Sequence, residues 1–184
     1  FILRKIQLTI LILIIMRTKL RKTFYIGLGG TGMNAILRTK KMFVEKYGKV
    51  PPMIGFLGID TDGGAYEKKL KTKSGEDVQL EPFEQCSISV KTPKDYYQSN
   101  KRRLTWLPEN NVNMITSLDK GAGQVRTNGR LALVNKISNV STAISNVYAQ
   151  ISSNQIIDNP EYELISTEKT DVHIVFSVCG GTGC

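Results

Sequence analysis

The sequence predicts an α/β protein whose core is a parallel, Rossmann-like sheet flanked by helices. Three observations carry the prediction. Phe24-Tyr-Ile26 runs straight into a glycine cluster (Gly27, Gly29, Gly30, Gly32), after which apolar residues recur at helical spacing in Met33, Ile36, Leu37 and Val44. Met53–Ile59 is almost continuously apolar, as a strand buried on both faces of a parallel sheet should be. Val172–Val178 is a further apolar run, read as another buried strand, and it ends in a second glycine cluster at Gly180–Gly183. Strand, helix and strand in succession make a βαβ unit, which requires parallel pairing and puts ligands at the carboxyl ends of the strands.

The bulk numbers fit one globular domain. A chain of 184 residues can bury one substantial core. With 41% hydrophobic and 22% charged residues it is not of disordered composition. The net charge of +9 is concentrated at the front, where residues 1–49 hold eleven Lys and Arg against Glu45 alone. A solvated face and a basic rim around an anion site account for this, and no nucleic-acid partner is expected. Three cysteines, Cys86, Cys179 and Cys184, make no disulfide framework. The Cys179-x4-Cys184 spacing is no established zinc pattern, and with His173 as the one histidine no metal site is assigned. A reducing, cytoplasmic compartment follows from this cysteine usage, with Cys179 as a small buried hydrophobe.

Taken in order, the chain opens on Phe1–Met16, with an apolar run from Ile6 to Ile15 broken by Gln7 and Thr9. That run is shorter than the roughly 20 residues of a membrane span. It is followed by basic Arg17–Lys22 without a small-residue cleavage site, unlike a signal peptide. Residues 1–15 are therefore expected to be a disordered leader or upstream read-through, with the domain over residues 16–184 and no transmembrane span. The first helix should run from Thr31 to Tyr47 and stop at Gly48 and Pro51-Pro52. The second strand ends in Asp60-Thr61-Asp62-Gly63-Gly64.

Residues 65–118 are less regular. Lys68–Asp77 reads as a charged turn, Cys86–Val90 as a short strand, and Asp95–Leu107 as a helix stopped by Pro108, with Tyr96, Tyr97 and Trp106 as ordinary packing. Gly121-Ala122-Gly123 is a further glycine loop. The helix after it carries Val134, Ile137, Val140, Ile144, Val147 and Ile151 at three- and four-residue steps. Asp158-Asn159-Pro160 punctuates the next connection. The chain stops at Cys184, inside what reads as a glycine loop whose helix is still to come. It thus reads as the N-terminal part of a longer domain.

The glycine loops carry the chemistry. Four glycines in six positions exceed what a tight turn needs, and a missing Cβ permits both φ > 0 and close backbone approach. A strand, such a loop and a helix N-terminus gather free N–H groups and a positive dipole end, which suits a phosphate. The loop before the third helical run can do the same, with Arg126 and Arg130 adding charge. The fingerprint alone leaves the nucleotide open. Asp60-Thr-Asp62 suits an ATP-dependent adenylating enzyme. An NAD(P)-binding dehydrogenase would use Asp60 on the ribose, although Asp60 lies further beyond Gly32 than the roughly 20 residues expected. Neither explains Gly121–Gly123 or the terminal Gly-Gly-Thr-Gly.

Taken together, the three loops resemble the tubulin/FtsZ superfamily of GTP-binding proteins. Gly27–Ala35 is similar to the first phosphate-side loop of the FtsZ branch, including the Gly-x-Asn-Ala that opens the helix. Phe56–Asp62 resembles the end of that family's second strand, and Gly121–Gly123 the loop facing the terminal phosphate. Gly180-Gly-Thr-Gly183 resembles the start of the Gly-Gly-Gly-Thr-Gly-Ser-Gly signature, with Cys179 in the place of the first Gly. Gln124-Val-Arg126 and Gly129-Arg-Leu-Ala-Leu133 resemble the divergent bacterial tubulin-like proteins more than FtsZ itself. Residues 20–62 and 118–184 are covered.

The resemblance implies guanine-nucleotide binding, GTP or GDP with Mg2+. The implied nucleotide-binding residues are Gly27, Gly29, Gly30, Thr31, Gly32 and Asn34 in the first loop and helix, then Asp60 and Asp62. Gly121, Ala122 and Gly123 follow in the second loop, and Gly180, Gly181, Thr182 and Gly183 in the third. It further implies that the base is gripped by elements after Cys184 and that hydrolysis uses an acidic loop from the next subunit of a filament. No catalytic residue is assigned in this chain. A filament-forming GTPase is the implied full-length activity, and this part alone is expected to turn over no nucleotide. Gly29, Gly121 and Gly181 should meet at one edge of the sheet.

Overall fold

The structure is a computed structural model describing residues 17–153, 156 and 159–183; the leader expected over residues 1–15 lies outside the described residues. Its centre is a four-stranded parallel sheet. After a short β1 (Thr18–Leu20), the central strands are β2 (Lys22–Leu28) and β3 (Ile54–Asp60), paired with Phe24 opposite Gly55 and Ile26 opposite Leu57. Between them runs α1 (Gly29–Tyr47), two residues longer at its start than the sequence predicted. It ends where expected, with Gly48 at φ 72° donating its N–H to the Val44 carbonyl.

β3 is buried at every position, and its two faces receive two helices. Ile54 and Phe56 meet Met33, Ile36 and Leu37 of α1, whereas Leu57 and Ile59 join Phe24 and Ile26 against the last long helix. A glycine on each face lets the helices come close. A Cβ at Gly58 would stand 3.1 Å from the Met33 side chain, and one at Gly55 2.7 Å from that of Val147.

The segment after β3 departs from the sequence reading in detail. The charged turn holds a small antiparallel hairpin, β4 (Leu70–Lys71) with β5 (Asp77–Val78), turning through Gly75 at φ 90°. The short strand is β6 (Gln85–Ser87), parallel to β3 at one edge of the sheet, and Val90 beyond it bridges to Leu118. The helix expected over Asp95–Leu107 is shorter: α2 spans Pro93–Asn100. Beyond it Leu104 and Leu107 turn inward to join Tyr97 and Ile115, with Trp106 and Tyr96 packed alongside as ordinary core. A one-turn helix, α3 (Glu109–Val112), leads toward the second glycine loop.

The long helix expected after that loop is two helices, α4 (Arg126–Asn135) and α5 (Ile137–Ile151), joined at Lys136. The break lets one apolar stripe serve two cores. Leu131 of α4 packs into the Tyr97–Ile115 cluster, while Val140, Val147 and Ile151 of α5 cover the sheet. Near the end of the described chain, β7 (Tyr162–Leu164) pairs parallel with β1, entered through an Asn159 turn whose Oδ1 accepts from the N–H groups of Glu161 and Tyr162.

The last strand, β8 (Thr170–Val175), lies beside β2 and completes the order β6-β3-β2-β8. It was expected to be buried, and it is not. Val172 and Ile174 are 53% and 56% exposed, and Phe176 and Val178 continue the exposed row. Among the described residues β8 stands last in the sheet order, and the apolar residues of α5 cover β2 and β3 rather than β8. On the opposite face His173 stacks on Tyr25 with ring centroids 5.0 Å apart. Cys179, expected to be buried, is exposed as well, because it lies past the strand in the loop.

Candidate functional site

The three glycine loops meet at the carboxyl edge of the sheet. The first, residues 27–32, turns from β2 into α1. It can do so because its glycines sit against backbone: a Cβ at Gly27 would be 2.7 Å from the Gly32 carbonyl carbon, and one at Gly32 would be 2.2 Å from the Val175 oxygen. The third loop, residues 180–183, leaves β8 and lies between the other two. On one side a Cβ at Gly29 would touch Thr182 at 3.4 Å, and one at Gly183 would reach the Leu28 oxygen at 3.0 Å. On the other side a Cβ at Gly181 would collide with the Cβ of Ala122 at 2.6 Å. The regions around Gly29, Gly121 and Gly181 thus converge, as expected.

Two residues hold this junction that the sequence reading did not assign. Gly129, inside α4, lies so close to the third loop that a Cβ there would stand 1.8 Å from the Gly181 oxygen. A glycine inside a helical pattern is the signal that could have found it, since it marks close backbone approach. Thr61, wholly buried, shares a hydrogen bond with Thr182 at 3.2 Å between hydroxyl oxygens. It lies inside the Asp60-Thr-Asp62 run, whose middle residue has no role in the sequence reading.

Asp60 ties β3 to this junction. Its Oδ1 accepts from the Thr61 N–H at 2.7 Å and from the Thr182 hydroxyl at 3.2 Å, and the residue as a whole is 4% exposed. Its other oxygen faces the first loop, 3.9 Å from where a Gly30 Cβ would be. The strand end is pinned from behind by Tyr66, whose hydroxyl accepts from the Asp60 N–H and donates to the Cys86 carbonyl at 2.7 Å. Burial pushes the Tyr66 phenol well above its ordinary range, so it stays a donor at any working pH. Asp62 turns away to cap the next turn, its Oδ1 accepting from the Gly64 N–H.

What the junction offers a ligand is donors. The first turns of α1 and α4 carry no acidic residue, and neither helix has a side-chain cap. Their leading N–H groups are therefore without the partner that Ser, Thr, Asn or Asp supplies at most helix starts. Gly30 and Thr31 are exposed at the first of these ends. The second loop is held open by left-handed backbone at Gly121 (φ 104°), Gly123 (φ 61°) and Gln124 (φ 59°). Asn34, on α1, has a buried Oδ1 without a protein partner. Arg130 does not reach the junction, since its guanidinium lies over the Trp106 ring at 4.2 Å. The broad groove of about 600 Å3 between α5 and the β6 edge, lined by Phe83, Cys86, Thr142 and Asn146 among others, lies apart from these loops. Among the described residues no cluster of His, Cys, Asp and Glu could hold a metal by itself, and no helix is long and apolar enough to cross a membrane.

A parallel α/β sheet with three glycine loops interlocked at its carboxyl edge is the architecture of the tubulin/FtsZ-like nucleotide-binding domain. The family described as tubulin-like matches residues 24–184, and the chain belongs to it. No curated protein and no solved structure matches the chain.

Proposed function

We propose that this chain binds guanine nucleotide, GTP or GDP, through its phosphates at the junction of the three loops. The observation that supports it most directly is the meeting of two uncapped helix N-termini on one interlocked set of glycine turns. Backbone N–H groups and dipole ends directed at one place favour an anion with several oxygens. Glycine at positions 27–32, 121, 123 and 180–183 lets that anion approach main chain rather than side chain. Membership of the tubulin-like family favours guanine over adenine or nicotinamide nucleotides.

Asp60 is the residue that would hold Mg2+ arriving with the phosphates, through the carboxylate oxygen left free by Thr61 and Thr182, with Asp62 nearby on the same turn. The ion would neutralise phosphate charge, which phosphoryl chemistry requires. The unpartnered Oδ1 of Asn34 is an acceptor left for a ligand donor. Self-association into filaments belongs to the same reading. It is tested by whether sedimentable polymer forms with GTP and disperses with GDP.

Titration of the protein with labelled GTP, ATP and NAD tests the core of the proposal. Guanine nucleotide should bind most tightly. Tight ATP binding without GTP would instead indicate an adenylating enzyme, and tight NAD binding a dehydrogenase.

A further inference from the structure

We propose a second ligand site, in a cavity between α1 and α5 at the amino end of β3. Its chemistry fits a small uncharged molecule with an apolar body and one acceptor oxygen. The inference stands apart from the nucleotide reading, because the glycine loops lie at the other end of the same strand. Ile54 and Asp60, which mark those two ends, are about 20 Å apart by the rise of a strand.

The cavity follows from a mismatch of strand lengths. β6 pairs with β3 only over Gly58–Asp60, so among the described residues no strand flanks Ile54–Leu57 on that side. The gap holds about 280 Å3, lined by Pro52, Ile54, Phe56 and Glu84, by Lys40 of α1 and by Val147 of α5 among others. Phe83, Val147 and Gln150 also line the groove of about 600 Å3 beside β6, so the two spaces adjoin. Phe83, common to both, is 53% exposed and offers an aromatic face to a ligand body. Spaces of this size, mostly apolar with a few polar groups, are what small molecules occupy.

Lys40 and Glu84 give the cavity its polar chemistry. Both are buried, and neither takes part in the glycine-loop junction. Lys40 Nζ donates to Glu84 Oε2 at 2.5 Å and to the Gln79 carbonyl at 2.8 Å, which uses two of an ammonium's three donors. The third has no partner among the described residues. A buried ion pair is a weak stabiliser, since apolar residues of like volume serve as well. On the wall of an apolar cavity it does something they cannot, because it holds a donor at a fixed place. The two charges of the pair cancel, so a charged ligand group would enter unmatched. That selects a neutral carbonyl oxygen over a carboxylate.

The test follows amide NMR shifts of isotope-labelled protein during titration with three probes of similar size. They are acetophenone, toluene, which lacks the oxygen, and benzoate, which adds a charge. Acetophenone should shift the amides of Ile54, Gly55 and Val147 and saturate in the millimolar range, as suits so small a ligand. Toluene should bind at least about threefold more weakly, and benzoate at least about tenfold. Gln150→Trp adds bulk to the cavity lining from an exposed position, so it should keep the melting temperature and abolish the response. In the double variant Lys40→Met with Glu84→Leu, acetophenone should lose its advantage over toluene. If that variant does not fold, the probe series and Gln150→Trp decide alone. Absence of shifts at those amides would overturn the inference, as would undiminished binding by Gln150→Trp. Equal affinity of the wild type for acetophenone and toluene would reduce the cavity to an apolar crevice and overturn it too.

Discussion

Gly181 faces Ala122 so closely that a methyl group added to the glycine would lie 2.6 Å from the alanine's own. The second and third loops, far apart in sequence, are thus locked by the absence of one side chain. Gly181→Ala should destabilise the protein by about 1–3 kcal/mol, the usual cost of overpacking a tight contact. Ala122→Gly should restore part of that loss in the double variant, and denaturant melts of the four proteins measure it. Additive losses would show that the contact is not what limits position 181.

Gly30 is the contrasting position. It is exposed, its φ is not left-handed, and the one atom near an added Cβ is Asp60 Oδ2 at 3.9 Å. Gly30→Val should leave the melting temperature within a few degrees of wild type and weaken nucleotide binding at least about tenfold, because the added bulk occupies the approach to the helix N-terminus. Nucleotide titration beside a thermal melt separates the two effects. Unchanged affinity would move the phosphate away from the first loop.

Of the two described cysteines, Cys179 reports on the site and Cys86 serves as the internal reference. Cys179 is exposed at the start of the third loop, whereas Cys86 is buried and burial pushes its thiol up. In a Cys184→Ser background, iodoacetamide should label Cys179 well before Cys86. Saturating GTP should slow labelling of Cys179 and leave that of Cys86 unchanged, which mass spectrometry of timed samples resolves. Protection absent at Cys179 would argue against nucleotide over the third loop.

Lys40 and Glu84 form a buried pair at 2.5 Å that joins α1 to the turn before β6. Lys40→Met, which strands the carboxylate, should cost about 3–5 kcal/mol, and the double variant Lys40→Met with Glu84→Leu considerably less. Burial raises the Glu84 pKa above its ordinary 4.5, against the opposing pull of Lys40. The folded protein therefore holds this proton more tightly than the unfolded chain does. Its contribution is fully present below pH 4.5 and is lost as pH rises through the folded value. Relative to Glu84→Gln, wild type should lose stability over that window in melts taken at stepped pH.

Local rules made most of the fold legible. Continuous apolarity over Met53–Ile59 marked a strand covered on both faces, and Gly48 with Pro51-Pro52 marked the end of α1, because both are properties of short stretches. The glycine clusters announced their loops for the same reason. Where the reading failed, a distant partner decided. The Val172–Val178 pattern is that of a buried strand, yet its exposure depends on what lies beside β8. The stripe from Val134 to Ile151 is continuous helix by periodicity, yet it breaks at Lys136, with Leu131 and Val134 in one core and Val140, Val147 and Ile151 in another.

The candidate site divides in the same way. Sequence by itself determined that there are three glycine loops, each on a strand or helix end, since a glycine cluster marks tight turning and close backbone approach within a short stretch. Tertiary structure decided that they interlock, that Thr61 and Gly129 hold the junction, and that Arg126 turns to Val178 while Arg130 turns to Trp106. Those outcomes rest on contacts between residues far apart in the chain, and a side chain's choice among such partners is set by packing that no local pattern encodes.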